Sequence, residues 1–367
     1  MLDEGERVSS STRPKIGFAL GGLGGANAHG VGFLQAAKEE GVVPDLISCT
    51  SGQIYWVARY LANIDIDAEI RADIKKQNVF PEPFRVMNSM LMAMFGKPGT
   101  FRPAIPEYFT RLMSPPASLS WDELFTNRML PAQSLVPQLK EELFEFISST
   151  FLNSKIPAMF NSFDPETGLE YLYVNEPARR ELDVTFGQIV NKTRYMPIDA
   201  EGVQGALWIY QYGFDNRLDG SVLVDGAYHR QFIIQELCQA KVDKIYVPRP
   251  LFYGWEGEMP QNYFQSQAFT TDLFMNASYA GEISRITFIN ELLAKGEFKH
   301  KDYVHVELIE VQPTIQQGFF DFFVEQEAIY EDSLARSRDE LSEAYAWHAS
   351  PHTRLNKRVA AGVSNGA

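Results

Sequence analysis

The chain reads Lys15-Ile-Gly-Phe-Ala-Leu-Gly-Gly-Leu-Gly-Gly25 near its start and Leu46-Ile-Ser-Cys-Thr-Ser-Gly-Gln53 shortly afterwards, on either side of a segment with helical spacing. Each stretch begins as a short apolar strand and ends in a turn of small residues, and a further helix follows the second turn. A strand, a crossover helix and a strand form a βαβ unit, in which the two strands are parallel and adjacent. Both turns are therefore expected beyond the carboxyl ends of neighbouring strands, where open α/β sheets bind their ligands.

The two turns make different chemical demands. The turn at 21–25 has almost no side chains, so its backbone N–H groups can approach a bound atom closely. The helix that follows points its positive end at the same place, which suits a phosphate or the oxyanion of an ester under attack. Ser51 stands between a strand and a helix, as the serine of a nucleophile elbow does, and Gly52 leaves room beside it. Together the two turns predict acyl transfer.

Two commoner uses of a glycine-rich turn fit this sequence less well. A dinucleotide-binding loop is disfavoured because Asn27 stands where the third glycine of that motif belongs. A phosphate-binding P-loop is disfavoured because no Gly-Lys-Ser/Thr follows. A Thr-Ser-Gly sequence alone is more often a helix N-cap than a nucleophile, so the pairing with the upstream glycine turn is what favours catalysis.

A third element lies far downstream, where Ser221-Val-Leu-Val-Asp-Gly-Ala227 is typical of a short strand that ends in a turn. With this element, residues 15–250 resemble the patatin-like phospholipase family. That family has a glycine-rich oxyanion loop, a Gly-x-Ser-x-Gly elbow and a later Asp-Gly-Gly or Asp-Gly-Ala sequence, whose aspartate pairs with the serine. The turn Asp164-Pro-Glu-Thr-Gly168 matches a further feature of the family. The resemblance implies a three-layer α/β/α domain with a mainly parallel central sheet.

The resemblance also implies the chemistry. Ser51 is the expected nucleophile and Asp225 its base, forming a Ser-Asp dyad. The expected oxyanion hole consists of the backbone N–H groups of Gly21, Gly22, Leu23, Gly24, Gly25 and Gly52. The implied function is a serine carboxylic ester hydrolase of phospholipase A or lysophospholipase type. No cofactor is expected, and no metal, since no His-Glu-x-x-His spacing occurs.

Departures from the family pattern keep other functions open. The family's basic residue is missing from the glycine loop, and Cys49 and Gln53 replace the outer glycines of the elbow. The main alternative is a non-catalytic module that binds lipid or a protein partner. A third is a thioesterase or acyltransferase that uses the same serine. His29 and His229 lie beside the two motifs, so a Ser-His-Asp triad with either one is a further alternative.

Composition limits the partners and the compartment. The 367 residues carry a net charge of −14, which disfavours nucleic acid and a purely electrostatic attraction to anionic lipid. Cys49 and Cys238 are expected to be buried thiols rather than a disulfide. No signal peptide and no apolar run of about 20 residues is found, which predicts a cytoplasmic protein with peripheral membrane contact as an option. The expected partner is a lipid or other ester substrate, and the oligomeric state stays open.

The predicted organisation is a disordered tail at 1–14, an acyl hydrolase domain at 15–330, and a C-terminal helix with a flexible tail at 331–367. Loops and helices inserted at about 78–150 interrupt the domain. Within them, the methionine-rich segment 80–95 favours a core helix, and the alternative is a lid that borders the active-site cleft. Helical spacing predicts one helix over 135–151 and a long one over 319–347.

Overall fold

The computed structural model describes residues 13–23, 27–81, 84–115, 118, 120–218, 220–255, 258–297, 304–317 and 319–346. Residues 1–12 of the predicted tail at 1–14, and residues 347–367 of the predicted C-terminal region at 331–367, lie outside the described residues. Within them the strands are β1 (Ile16–Leu20), β2 (Leu46–Cys49), β3 (Phe101–Pro103), β4 (Leu135–Pro137), β5 (Ala158–Asp164), β6 (Leu169–Val174), β7 (Ile189–Val190), β8 (Thr193–Pro197), β9 (Arg217–Leu218), β10 (Ser221–Val222), β11 (Val224–Asp225), β12 (Lys244–Pro248) and β13 (Glu307–Val311).

The helices alternate with these strands along the chain. They are α1 (Ala28–Glu39), α2 (Gln53–Leu61), α3 (Ile66–Gln77), α4 (Arg85–Phe95), α5 (Ile105–Met113), α6 (Glu141–Asn153), α7 (Glu176–Leu182), α8 (Ala200–Ala206), α9 (Gln235–Gln239), α10 (Tyr263–Ala294) and α11 (Glu327–Ala346). Single turns of 3₁₀ helix occur at Gly226–Tyr228 and Phe319–Phe323, and a π-helical turn occurs at Asp122–Asn127. No helix within the described ranges is both long and apolar enough to cross a bilayer.

One large sheet forms the centre of the molecule, with strand order β13-β12-β1-β2-β5-β6-β8-β7. The run from β13 to β5 is parallel throughout, whereas β6 is antiparallel to β5. The predicted βαβ unit is confirmed, because β1 and β2 are parallel neighbours, with Phe18 beside Ile47 and Leu20 beside Cys49. Two small two-stranded sheets, β3 with β4 and β9 with β10, lie off the main sheet.

Apolar side chains alternate along the central strands and bury both faces of the sheet. In β2, Ile47 and Cys49 join the cluster formed with α1, α2, α3, α6 and α11, while Leu46 joins the cluster formed with α7, α9 and α10. Helices therefore cover the sheet on both sides, since each cluster fills the space between one face and its helices. The predicted fold class, a mainly parallel α/β sheet between two helical layers, is confirmed.

The arrangement of strands around β5 brings distant parts of the chain together. β2 runs parallel to the first half of β5, with Cys49 opposite Phe160. β11 runs antiparallel to the second half on the same side, with Asp225 opposite Ser162. The two strands therefore approach each other end to end along one edge of β5. The turn after β2 and the last residue of β11 meet in the gap between them.

Three predicted elements differ from those observed. The helix predicted over 135–151 is wrong at its start, because 135–137 pairs with β3 as β4 and only then does α6 begin. The long helix predicted over 319–347 is broken at 324–326, between a 3₁₀ turn and α11. The core helix favoured over 80–95 is also wrong: Met87, Met94 and Phe95 of α4 are exposed.

The described part of the predicted C-terminal region packs on the start of the domain. α11 lies against α1, and a Cβ at Gly32 would stand 2.7 Å from the Tyr330 carbonyl oxygen, so the absent side chain permits this close packing. The Ser333 hydroxyl donates a hydrogen bond to the His29 carbonyl of α1. The last described helix therefore forms part of one helical layer of the domain.

Candidate active site

Ser51 occupies a strained turn between β2 and α2. Its φ is +54°, in the left-handed region that non-glycine residues rarely adopt, and a residue held there costs about 1–3 kcal/mol. The turn is held by hydrogen bonds from the Gln53 N–H to the Thr50 carbonyl and from the Ile54 N–H to the Ser51 carbonyl. Such strain clusters at functional sites, and the sharp strand-to-helix turn is the geometry predicted for a nucleophile elbow.

The glycine loop crosses directly over this elbow. A Cβ at Gly22 would stand 2.4 Å from the Ser51 Cβ and 2.4 Å from the Thr50 carbonyl oxygen, closer than any side chain allows. The Gly22 N–H donates to the Thr50 hydroxyl at 3.0 Å. The glycine at 22 is therefore needed for the loop to reach the turn, and the loop and the elbow form one packed unit.

Asp225 reaches Ser51 from the end of β11. The Ser51 hydroxyl donates a hydrogen bond to Asp225 Oδ2, and Asp225 Oδ1 accepts the Ala227 N–H at 2.9 Å. Both side chains are buried. Burial raises the pKa of Asp225 to about 6, against the opposing effect of the two hydrogen bonds. The predicted pair is thus in direct contact, with the carboxyl positioned to take the hydroxyl proton.

Gly226 is required beside Asp225 for reasons of space. A Cβ on Gly226 would stand 2.2 Å from Asn161 Oδ1, and the Asn161 side chain is fixed by a 2.8 Å hydrogen bond to Glu170. The glycine of the Asp-Gly-Ala sequence therefore lets β11 approach β5 closely enough for Asp225 to face the elbow.

We expect Gly226→Ala to displace Asp225 and to lower the ester hydrolysis predicted from the sequence by about 10²-fold, the typical cost of a misplacement of about 1 Å. The overpacking should also reduce the free energy of unfolding by about 1–3 kcal/mol. Steady-state kinetics and urea unfolding measure the two effects. Gly281→Ala is the matched control, because a Cβ there meets no atom within 4 Å. Equal activity of the two variants would contradict the packing argument.

The predicted oxyanion donors differ in whether their backbone N–H groups already make hydrogen bonds within the protein. The Gly22 N–H is engaged by Thr50, and the Leu23 N–H donates to Asn27 Oδ1 at 3.1 Å. The Gly21 carbonyl lies 3.1 Å from His29 Nε2, and Gly24 and Gly25 lie outside the described residues. The Gly52 N–H makes no hydrogen bond within the described part of the chain. Gly52 follows the serine directly, which is where a nucleophile elbow supplies one oxyanion donor.

The long side chain of Gln53 is accommodated by a matching glycine. Gln53 is fully buried, and its Nε2 donates to the Asn27 carbonyl at 3.0 Å. A Cβ on Gly30 of α1 would stand 2.2 Å from Gln53 Nε2, so the amide occupies the space that this glycine leaves. Gln53, which stands where the patatin-like sequence pattern has a glycine, thus joins α2 to the start of α1.

Glu325 is a residue of the site that the sequence analysis missed. Its buried carboxylate accepts the Asn27 N–H at 2.8 Å and a further hydrogen bond from the Ala28 N–H, at the positive end of α1. α1 has no side-chain cap of its own, so a carboxylate from far along the chain caps it. Burial raises the pKa of Glu325 to about 7, although Lys97 and the two N–H groups oppose this.

Both predicted catalytic residues line one cavity of about 1350 Å³. Large apolar side chains from several elements form much of its wall, among them Trp56, Met92, Phe101, Phe146, Tyr212 and Phe323. Basic and acidic side chains line the same cavity, including Arg59, Lys76, Lys97, Lys140, Asp73 and Glu142. The cavity therefore offers an apolar surface for a chain and charged groups for a polar end.

Neither histidine near the motifs contacts the Ser51–Asp225 pair in the described structure. His29 faces the Gly21 carbonyl, and His229 is exposed and stacks on Phe163 with ring centroids 4.7 Å apart. Partial desolvation of the ring nevertheless lowers the pKa of His229. Among the described residues, no group of three or more histidine, cysteine or acidic side chains is arranged to hold a metal ion.

Comparisons with known proteins give remote matches only. No family model and no curated protein matches the chain. Among solved structures, VipD from Legionella pneumophila is similar at 12% identity and a TM-score of 0.38, over 92% of this chain and 67% of that one. A human GIVD cytosolic phospholipase A2, solved with a fluorophosphonate inhibitor, is similar at 12% identity and a TM-score of 0.35, over 90% and 58%.

Proposed function

We propose that the protein is a serine carboxylic ester hydrolase that acts on lipids, with Ser51 as nucleophile and Asp225 as base. The observation that carries the proposal is the hydrogen bond from the Ser51 hydroxyl to the buried Asp225 carboxylate, in a strained elbow at the wall of a large cavity. A serine hydroxyl is a weak nucleophile until a neighbouring group accepts its proton.

The reaction follows from this contact. Ser51 Oγ attacks the ester carbonyl carbon while its proton passes to Asp225 Oδ2, and the carbonyl oxygen becomes an oxyanion. The Gly52 N–H is positioned to stabilise that charge. The tetrahedral intermediate then expels the alcohol, which takes the proton from Asp225, and leaves an acyl group on Ser51. Asp225 next accepts a proton from water, and the resulting hydroxide attacks the acyl carbon. The second tetrahedral intermediate then releases the acid, as Ser51 Oγ takes the proton back from Asp225.

The cavity supports a lipid with an acyl chain and an anionic head. Its apolar wall suits an acyl chain, and its four basic side chains suit a phosphate. On this basis we place the substrate among phospholipids or lysophospholipids. Cys49 and Cys238 are free thiols, which supports a reducing compartment and hence the cytoplasm as the place of action.

One observation favours a second function, a non-catalytic lipid-binding module. The N–H groups of Gly22 and Leu23, both predicted oxyanion donors, are engaged within the protein. If this arrangement persists with lipid bound, the site lacks donors that acyl transfer requires, while the cavity still holds an acyl chain.

Labelling with a fluorophosphonate distinguishes the two functions, because this reagent phosphonylates only an activated serine. We expect one adduct per chain, located at Ser51 by peptide mass spectrometry and absent from Ser51→Ala. Ser278→Ala is the matched control, since Ser278 lines the same cavity. An adduct that survives Ser51→Ala, or a folded wild-type protein that takes no label, would overturn the hydrolase proposal.

A further inference from the structure

The segment 84–130, which lies off the central sheet, exposes an unusual set of large apolar side chains. Six of them are between 53% and 86% exposed and are called the apolar face here: Phe95, Ile105, Phe109, Met113, Trp121 and Leu130. None of the residues of α5 is buried. Exposed large apolar side chains concentrated in one segment indicate an interaction site rather than an ordinary protein surface.

Helix α5 has the pattern of a helix that lies in a lipid interface. Ile105, Phe109 and Met113 are spaced four residues apart and therefore share one side of the helix. Trp121 stacks on Phe125 with ring centroids 4.6 Å apart in the neighbouring π-helical turn. Arg128 ties that turn to α5 through a 2.8 Å hydrogen bond to the Arg111 carbonyl. Aromatic and aliphatic side chains on a surface helix are the usual means of entering the headgroup region.

Charge in this segment is opposite to that of the chain as a whole. Its basic residues are Arg85, Lys97, Arg102, Arg111 and Arg128, against the acidic Glu107, Asp122 and Glu123, in a protein of net charge −14. The segment that carries the apolar face therefore has a net charge of +2, from five basic and three acidic residues. An anionic surface would attract this segment and repel the acidic bulk of the chain, which defines one orientation. The net charge of the whole chain disfavours binding to anionic lipid, but it does not show that the segment 84–130 is itself positively charged.

The same segment forms part of the cavity that holds Ser51. Met92 of α4, Lys97 and Phe101 of β3 line the cavity. A surface bound by the apolar face therefore lies beside the cavity wall.

We propose that the apolar face of 84–130 docks the protein on an anionic lipid surface, with α5 in the plane of the headgroups. Binding itself does not depend on catalysis, so its failure and the failure of the proposed hydrolase activity are separable.

The test is vesicle co-sedimentation of the full chain carrying Ser51→Ala, so that no lipid is hydrolysed. We expect tighter binding to vesicles of phosphatidylcholine with phosphatidylglycerol than to phosphatidylcholine alone. Adding Met113→Glu and Trp121→Glu should weaken binding to the anionic vesicles at least tenfold, with circular dichroism unchanged because both side chains are exposed. Arg111→Gln should reduce the preference for anionic vesicles.

Phe288→Glu is the matched control, since Phe288 is 59% exposed on α10, outside the segment. It should bind like the parent protein. Equal binding to both vesicle types, or equal loss in the control, would overturn the proposal. Light scattering that shows the parent as a dimer, and the Met113/Trp121 variant as a monomer without change in vesicle binding, would assign the apolar face to a second copy of the chain instead.

Discussion

Asp225→Asn is expected to lower ester hydrolysis by about 10²–10⁴-fold while making the protein more stable at pH 7. The activity falls because an amide cannot take the Ser51 proton, and removal of a positioned general base costs that much. The shape of the site is retained, since Asn has the same size and can still accept the Ala227 N–H. Steady-state kinetics with a water-soluble ester measures the first effect, and urea unfolding measures the second.

The stability gain follows from the raised pKa of Asp225. Its ordinary value is 3.8 and its folded value about 6, so the unfolded chain releases this proton more readily than the folded one. The wild type therefore loses stability as pH rises through that window, by about 3 kcal/mol once both states are ionised. The advantage of Asp225→Asn should be near this size at pH 7 and disappear below pH 4. A variant as unstable as Gly226→Ala would contradict the assignment of a buried carboxylate whose ionisation destabilises the folded state.

The wild-type rate should also depend on this carboxyl. Activity should fall as pH drops through about 6, because protonated Asp225 cannot act as a base. His229→Ala is the discriminating control: His229 is stacked on Phe163, away from the pair, so its loss should change turnover by about tenfold at most. A loss in His229→Ala as large as that in Asp225→Asn, with the fold intact, would replace the dyad by a triad.

Arg230→Met is expected to reduce the free energy of unfolding by about 3–5 kcal/mol, the usual cost of removing one partner of a buried ion pair. The Arg230 guanidinium is buried between the carboxylates of Glu170 and Glu236 and donates to both at 2.9–3.2 Å. Burial alone would raise the pKa of Glu170, but the charge of Arg230 and hydrogen bonds from Asn161 and Thr193 keep it below its ordinary value. Without Arg230 two carboxylates remain buried with no cation between them.

The matched control separates lost charge from lost packing. Arg230→Met combined with Glu170→Gln and Glu236→Gln removes the whole network, and should recover most of the stability lost in the single variant. Urea unfolding at pH 7 gives both values. A single variant that loses less than about 1 kcal/mol, or a triple variant that is no better, would show that the network adds little to the stability of the segment that carries Asp225.

The central βαβ unit could be predicted from sequence because its signals are local. An apolar strand, a turn of small residues and helical spacing lie within 40 residues, and the observed β1, α1, β2 and α2 follow them closely. The approach of Asp225 to Ser51 came from a family pattern rather than from physics. Its physical cause is the meeting of β2 and β11 along β5. That meeting depends on pairing between distant residues, such as Cys49 with Phe160 and Asp225 with Ser162.

Pair-wise packing and a helix break account for what the sequence did not reveal. Gln53 departs from the elbow pattern, and its amide fits because Gly30 leaves space for it, a match between two distant positions that sequence patterns do not show. Glu325 was missed because helical spacing extended the predicted helix across it, whereas the observed break at 324–326 turns its carboxylate towards α1. The sequence predicted a buried α4 because a run of apolar residues indicates contact with another apolar surface. The run alone does not tell whether that surface is protein or lipid.

The capping of α1 by Glu325 has a consequence for biosynthesis. Asn27 and Glu325 are 298 positions apart, so the ribosome makes the elbow and the glycine loop long before it makes the group that completes them. At about 5–20 residues per second, the interval is roughly 15–60 s. During that time α1 lacks both its capping carboxylate and its α11 neighbour. The nascent chain therefore cannot complete the cap of α1, next to the turn that holds Ser51, until residue 325 has been made.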